Sequence, residues 1–139
     1  MKILIYVENT IVDGAMNPIG AAVKKVTGWM EYGAEISYLT EKTKFMEVKA
    51  VKDKLKELVF PGEIVRSRQG NETFREVISS VEPNVLVSFG LENDLAKLNS
   101  DRKIHLINLV QVGIDNLPDK PDDLVVYGKK EEPVAEVKE

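Results

Sequence analysis

Short runs that are apolar almost throughout alternate along this chain with stretches in which apolar residues recur every three or four positions. Lys2 to Val7 is the first such run, nearly unbroken and rich in Ile, and it suits a strand buried on both faces of a parallel sheet. Asn17-Pro18 is a helix-start signal, an N-cap side chain followed by a ring suited to the first helical position. Ile19, Ala22, Val23, Val26 and Met30 then share one face, and Gly33 ends that helix. Ala34 to Thr40 predicts a second strand. Val48, Val51, Leu55 and Leu58, interleaved with lysines and acids, predict an amphipathic helix that Pro61-Gly62 stops.

The alternation continues to the end of the folded part. Glu63 to Ser67 is a short strand, and Gly70-Asn71 opens a third helix carrying Phe74, Val77, Ile78 and Val81, closed by Pro83. Asn84 to Phe89 is a strand, Leu91 to Leu98 a short helix, Lys103 to Val110 a strand, and Leu124 to Tyr127 the last strand. Strands alternating with helices predict an α/β fold: three layers, with a doubly wound, mostly parallel sheet covered on both faces, Rossmann-like and without a large cap domain. Residues 1–128 form one domain on this reading. The remaining residues, 129–139, read KKEEPVAEVKE, a charged segment without period that predicts a loose tail. Ligands of such sheets bind off the carboxyl ends of the strands, so the positions of interest are Tyr6 to Asp13, Thr40 to Thr43 and Ser88 to Asp94.

Composition narrows the chemistry. With 139 residues the chain is the size of one domain, able to bury about 68–70% of the surface its unfolded form exposes. It contains no cysteine and one histidine, which excludes disulfides, thiolate metal sites and a cysteine nucleophile, and leaves carboxylates and magnesium or calcium for any divalent ion. The net charge of -4 argues against nucleic acid or an anionic membrane as partner. Apolar runs are too short for a signal peptide or a bilayer span, so a cytoplasmic protein is expected. Abundant Glu and Lys suit a thermophile.

Taken together, the strand ends resemble those of the haloacid dehalogenase-like (HAD-like) superfamily. That family opens with a buried strand and a DxDxT motif, whose first aspartate attacks phosphate and whose second is the acid/base. Here Tyr6-Val7-Glu8-Asn9-Thr10 aligns without a gap, and Thr40 matches the Thr or Ser that ends the second strand. The resemblance places Glu72 at the family's phosphate-binding lysine, and Ser88 with Phe89 at the acidic pair that coordinates magnesium, with Glu92 and Asp94 following. It covers Met1 to Val110 in order and spacing.

The departures remove chemistry. A phenol with an ordinary pKa of about 10 stands where a carboxylate of about 3.9 is expected, and it is protonated at neutral pH. Glu8 keeps a carboxyl but is one methylene longer than aspartate. Arg66, Arg68 or Arg75 is available to replace the missing lysine. The resemblance therefore implies a degenerate member with no confident catalytic set among Tyr6, Glu8, Thr10, Thr40, Glu72 and Ser88.

Glu8, Asn9, Thr10, Thr40 and Ser88 are candidates for binding a ligand. Thr10, Thr40 and Ser88 either donate to an anion at the strand ends or cap turns, and Glu8, Asp13, Glu92 and Asp94 are either a magnesium cluster or solvated loop acids. Glu8 and Asp94 are the weak metal candidates. His105 is expected to be an ordinary strand residue, and Trp29 with Tyr32 either core or interface. The expected function is binding of a protein partner or a small anionic ligand, without catalysis, cofactor, nucleic acid or membrane. The alternative is a residual phosphatase using Glu8 and Asp13 or Asp94 with magnesium. A third reading, an unrelated doubly wound nucleotide-binding domain, finds neither GxGxxG nor GxxxxGK[ST] in its favour.

Overall fold

A computed structural model of the chain describes residues 1–62, 64–71, 73–89, 104–109 and 114–125, with only the backbone of residues 74, 75 and 108. It is an α/β structure in the order β1 (Lys2–Tyr6), α1 (Ala22–Glu31), β2 (Glu35–Leu39), α2 (Phe45–Glu57), β3 (Ile64–Arg66), α3 (Phe74–Val81), β4 (Val85–Ser88) and β5 (His105–Asn108). A 3-10 turn at Ile114–Asn116 and a short helix, α4 (Pro121–Leu124), follow. The expected helix at Leu91 to Leu98 and the tail from Gly128 lie outside the described residues.

The five strands form one sheet in the order β3-β2-β1-β4-β5, and every pairing is parallel. Successive strand side chains point to opposite faces, and the packing follows that rule. Ile3, Ile5 and Val7 join Val26, Trp29, Val51, Leu55 and Leu124 in one cluster, whereas Leu4 and Tyr6 join Val77, Ile78 and Val81 in another. Thus α1, α2 and α4 cover one face and α3 the other. This explains the unbroken apolar run of β1, since neither face meets water.

Three sequence expectations give way to local competition. The helix predicted from Asn17-Pro18 begins at Ala22. The Asp13 carboxylate accepts the amides of Ala15 and Asn17 at 2.9 and 3.0 Å, and Pro18 bridges antiparallel to Val12, so those residues close a loop. Asp115 supplies the acceptor at the helix start, taking the Ala21 amide at 2.8 Å. Gly20, with φ +53°, makes room for it, because a Cβ there would lie 2.5 Å from the Asp115 Oδ2. The third helix is opened by Thr73, not by Gly70-Asn71: the Thr73 hydroxyl accepts from the Glu76 amide and the Glu76 carboxylate from the Thr73 amide, a capping box. Finally, Leu124, expected to start a last strand, ends α4, which Pro121 begins at a position suited to its fixed φ.

The α1 face also shifts. Met30 is 44% exposed, while Trp29 is fully buried and donates its indole N–H to the Pro118 carbonyl at 2.8 Å. Trp29 is therefore core, and Tyr32, 61% exposed, is surface. Replacing Trp29 by Ala should destabilise the protein by about 3–5 kcal/mol, and by Phe distinctly less. Urea unfolding of the two variants checks this, and equal losses would show that the ring's volume contributes nothing.

Candidate functional site

The chain runs from β1 to β2 to β3 in one direction and returns to place β4 on the other side of β1. The carboxyl ends of β1 and β4 therefore flank the point where strand order reverses, the crevice in which ligands of such sheets sit. Beyond Tyr6 the chain continues as if still in the sheet, with the Val7 amide on the Leu39 carbonyl at 2.8 Å. It then turns back through Asn9, at φ 63°, and the Asn9 amide reaches the Val12 carbonyl. This turn sends Glu8 and Thr10 inward and leaves Asn9 exposed.

Glu8, Thr10, Thr40 and Ser88 are all buried, the only polar or charged side chains so classed among the described residues. Three of them are bound to one another's strands. The Glu8 carboxylate accepts the Thr40 hydroxyl through Oε2 at 2.5 Å and the Glu41 amide through Oε1 at 2.9 Å. The Thr40 hydroxyl also accepts the Lys42 amide at 3.2 Å. Thr10 Oγ1 accepts the Phe89 amide at 3.0 Å, across the crevice between β1 and β4. Thr40 thus accepts an amide of its own turn, two residues on, whereas Thr10 accepts one 79 residues away. Ser88, at the end of β4, is buried beside this group, and its carbonyl accepts the Leu109 amide at 2.8 Å.

Tyr6, the residue that the resemblance would set at the nucleophile's position, is held in its protonated form. Its phenol donates to the Glu41 carboxylate at 3.5 Å, and its pKa is pushed well above the ordinary tyrosine range. Burial is the largest cause, followed by the charges of Glu41 and Glu8 and the hydrogen bond to Glu41, with Arg68 opposing them. Of the two arginines whose side chains are described, Arg68 is the one whose charge is felt at Tyr6, and Arg66 lies exposed on β3; the Arg75 side chain lies outside the described residues. Glu41 falls within the Thr40 to Thr43 stretch that the sequence marks as a strand end, although nothing there singled it out.

Asp13 is exposed and holds its own loop. Glu72, Glu92 and Asp94 lie outside the described residues, and among the residues described no three acids or histidines come together as a metal site. His105 is half-buried in β5, its amide on the Asn84 carbonyl. No helix among the described residues is long and apolar enough to cross a membrane.

No protein-family model, curated protein or solved structure matches this chain.

Two predictions follow from the bracing. Glu8→Ala strips acceptors from the Thr40 hydroxyl and the Glu41 amide and should cost about 2–3 kcal/mol, Glu8→Gln about 1 kcal/mol, by chemical denaturation; indistinguishable losses would show that the carboxylate oxygens do not hold the strand ends. Tyr6 and Tyr38 both have raised pKa values, Tyr38 by burial alone. A phenol whose folded pKa exceeds its unfolded value binds its proton more tightly when folded. Its stabilising contribution is complete below pH about 10 and lost as pH climbs beyond it. Absorbance titration should therefore show two of the four tyrosines ionising only with unfolding, and all four titrating together near pH 10 in the native protein would contradict this.

Proposed function

We propose that this chain is a degenerate HAD-like domain that performs no phosphoryl transfer and works by binding a protein partner over the carboxyl ends of its strands. One observation carries the reading. The two backbone amides that an anion at these strand ends would need, those of Glu41 and Phe89, already donate to Glu8 and Thr10 of the chain itself. A phosphate there would have to displace a buried carboxylate and a buried hydroxyl before gaining a donor, and it would meet the charges of Glu8 and Glu41.

The phenol of Tyr6 adds to this, since burial and two nearby carboxylates hold it protonated, and a nucleophile requires the opposite. A protein partner is favoured over a small ligand by what surrounds the closed crevice. Met46 lies in the first turn of α2, just after the end of β2, and Phe89 follows the end of β4; they are 69% and 45% exposed. Large apolar side chains beside a sealed polar cluster suit a protein surface, where aromatics and methionine are enriched.

The purified protein should show only background hydrolysis of p-nitrophenyl phosphate with millimolar magnesium, and no rise in melting temperature with magnesium or inorganic phosphate. Magnesium-dependent turnover that Glu8→Ala abolishes would establish the residual phosphatase instead, and a phosphate-induced stabilisation lost in Thr10→Val would establish an anion site. A partner recovered with the native protein should be lost from a Met46→Ser/Phe89→Ser double variant and kept by Val59→Ser, whose residue is equally exposed at the far end of α2.

A further inference from the structure

The sheet ends on β3, a strand of three residues that has β2 on one side. Between this edge and α2 runs an open groove of about 630 Å³ lined by Phe45, Val48, Ile64 and Val65 and by Lys49, Lys52 and Lys56. The lysines step by three and four along α2, so they form one row along the groove wall. Among the described residues Asp53 is the single acid in the lining, and it is already bound to Lys49 at 2.9 Å. Lys52 and Lys56 make no ion pair among the described residues. On a chain of net charge -4, a cationic wall above an apolar floor calls for an occupant that is both acidic and apolar.

We infer that this occupant is the chain's own C-terminal segment, residues 131–139, which docks in the groove with its glutamates on the lysine row. That segment, EEPVAEVKE, carries Glu131, Glu132, Glu136 and Glu139 against one lysine, with Val134, Ala135 and Val137 between them. The route is short enough. Val125, the last described residue, packs against the same cluster as Val51 and Leu55 of α2, so the chain leaves the domain on the face that carries the groove. Crossing the whole five-stranded sheet takes about 19 Å at the usual strand spacing, and the six residue steps from Val125 to Glu131 span up to about 20 Å when extended.

Two other occupants fit less well. A second copy paired edge to edge through β3 would set one lysine row against the other, and like charges across such a seam are unfavourable. A simple phosphate would satisfy the lysines but leave Phe45 and Ile64, 78% and 50% exposed, uncovered.

The test compares the full chain with a Lys52→Glu/Lys56→Glu variant, a Lys54→Glu control and a chain ending at Gly128. Cleavage by a glutamyl endopeptidase after Glu131 and Glu136 tracks the undocked population when docking is fast. The full chain should be cut about fivefold to tenfold more slowly than the double variant, a difference that 0.5 M NaCl erases by screening. Lys54, which pairs with Glu57 at 3.4 Å outside the groove lining, should change nothing on reversal. In amide NMR spectra, removing the tail should shift Lys52, Ile64 and Val65. Equal cleavage of the full chain and the double variant, or identical groove signals with and without the tail, overturns the proposal. Groove shifts that appear only as protein concentration rises overturn it in favour of a second copy.

Discussion

Glu8 sets the condition that the rest of the strand-end architecture has to meet. A carboxylate that is 9% exposed is costly to bury unless its oxygens find donors, and both do: one from the Thr40 side chain and one from the Glu41 backbone. The requirement propagates outward. The Thr40 hydroxyl, having donated to Glu8, can accept from the Lys42 amide, so the loop into α2 is pinned from its first residue. The position of Glu41 then follows, and with it the partner of the Tyr6 phenol. Three consecutive loop residues are thus placed by one inward-facing side chain of β1's extension.

Thr10 makes the corresponding connection on the other side. Its hydroxyl takes the Phe89 amide, tying the end of β4 to the turn after β1 across the place where strand order reverses. Topology alone would leave that crevice open, because the crossovers on its two sides lead to opposite faces of the sheet. Here side chains from the same turn close it. The inward turn depends on Asn9 occupying a left-handed conformation, which asparagine tolerates better than most residues.

Much of this frame was legible in the sequence because the signals were strong and local. The isoleucine-rich run of β1 and the three-four spacing of α2 have no competing reading, and Val51 and Leu55 are buried as that spacing requires. Where the sequence misled, a distant or neighbouring side chain had taken over a local signal. Asn17-Pro18 offers a helix start, but Asp13 holds that segment in a loop and Asp115, 94 residues from Ala21, serves the helix instead. Thr73 with Glu76 forms a capping box three residues beyond Gly70, the stronger turn signal in that stretch. Glu41 lies in the Thr40 to Thr43 stretch marked as a strand end, but no pattern told that its amide would bind Glu8 and its carboxylate the Tyr6 phenol. Likewise nothing in the spacing told which of the three arginines would act on Tyr6.

The lysine-rich face of α2 has the same ambiguity in a different form. Spacing identifies Lys49, Lys52 and Lys56 as sharing one side of a helix, which by itself describes any solvated surface. Pairing accounts for part of the charge: Lys49 with Asp53 and Lys54 with Glu57 each compensate within the helix. Lys52 and Lys56 differ because they line the groove beside Ile64 and Val65 of the edge strand without an ion pair among the described residues. Charge beside exposed apolar residues is costly to leave uncovered in a way that charge beside other charge is not, and an occupant that is merely acidic relieves half of it. The local requirement at this edge is therefore for carboxylates and aliphatic side chains in one extended segment, a demand opposite in sign to that of the strand-end cluster, where the carboxylates are already internal and the neighbouring exposed groups are aromatic and thioether.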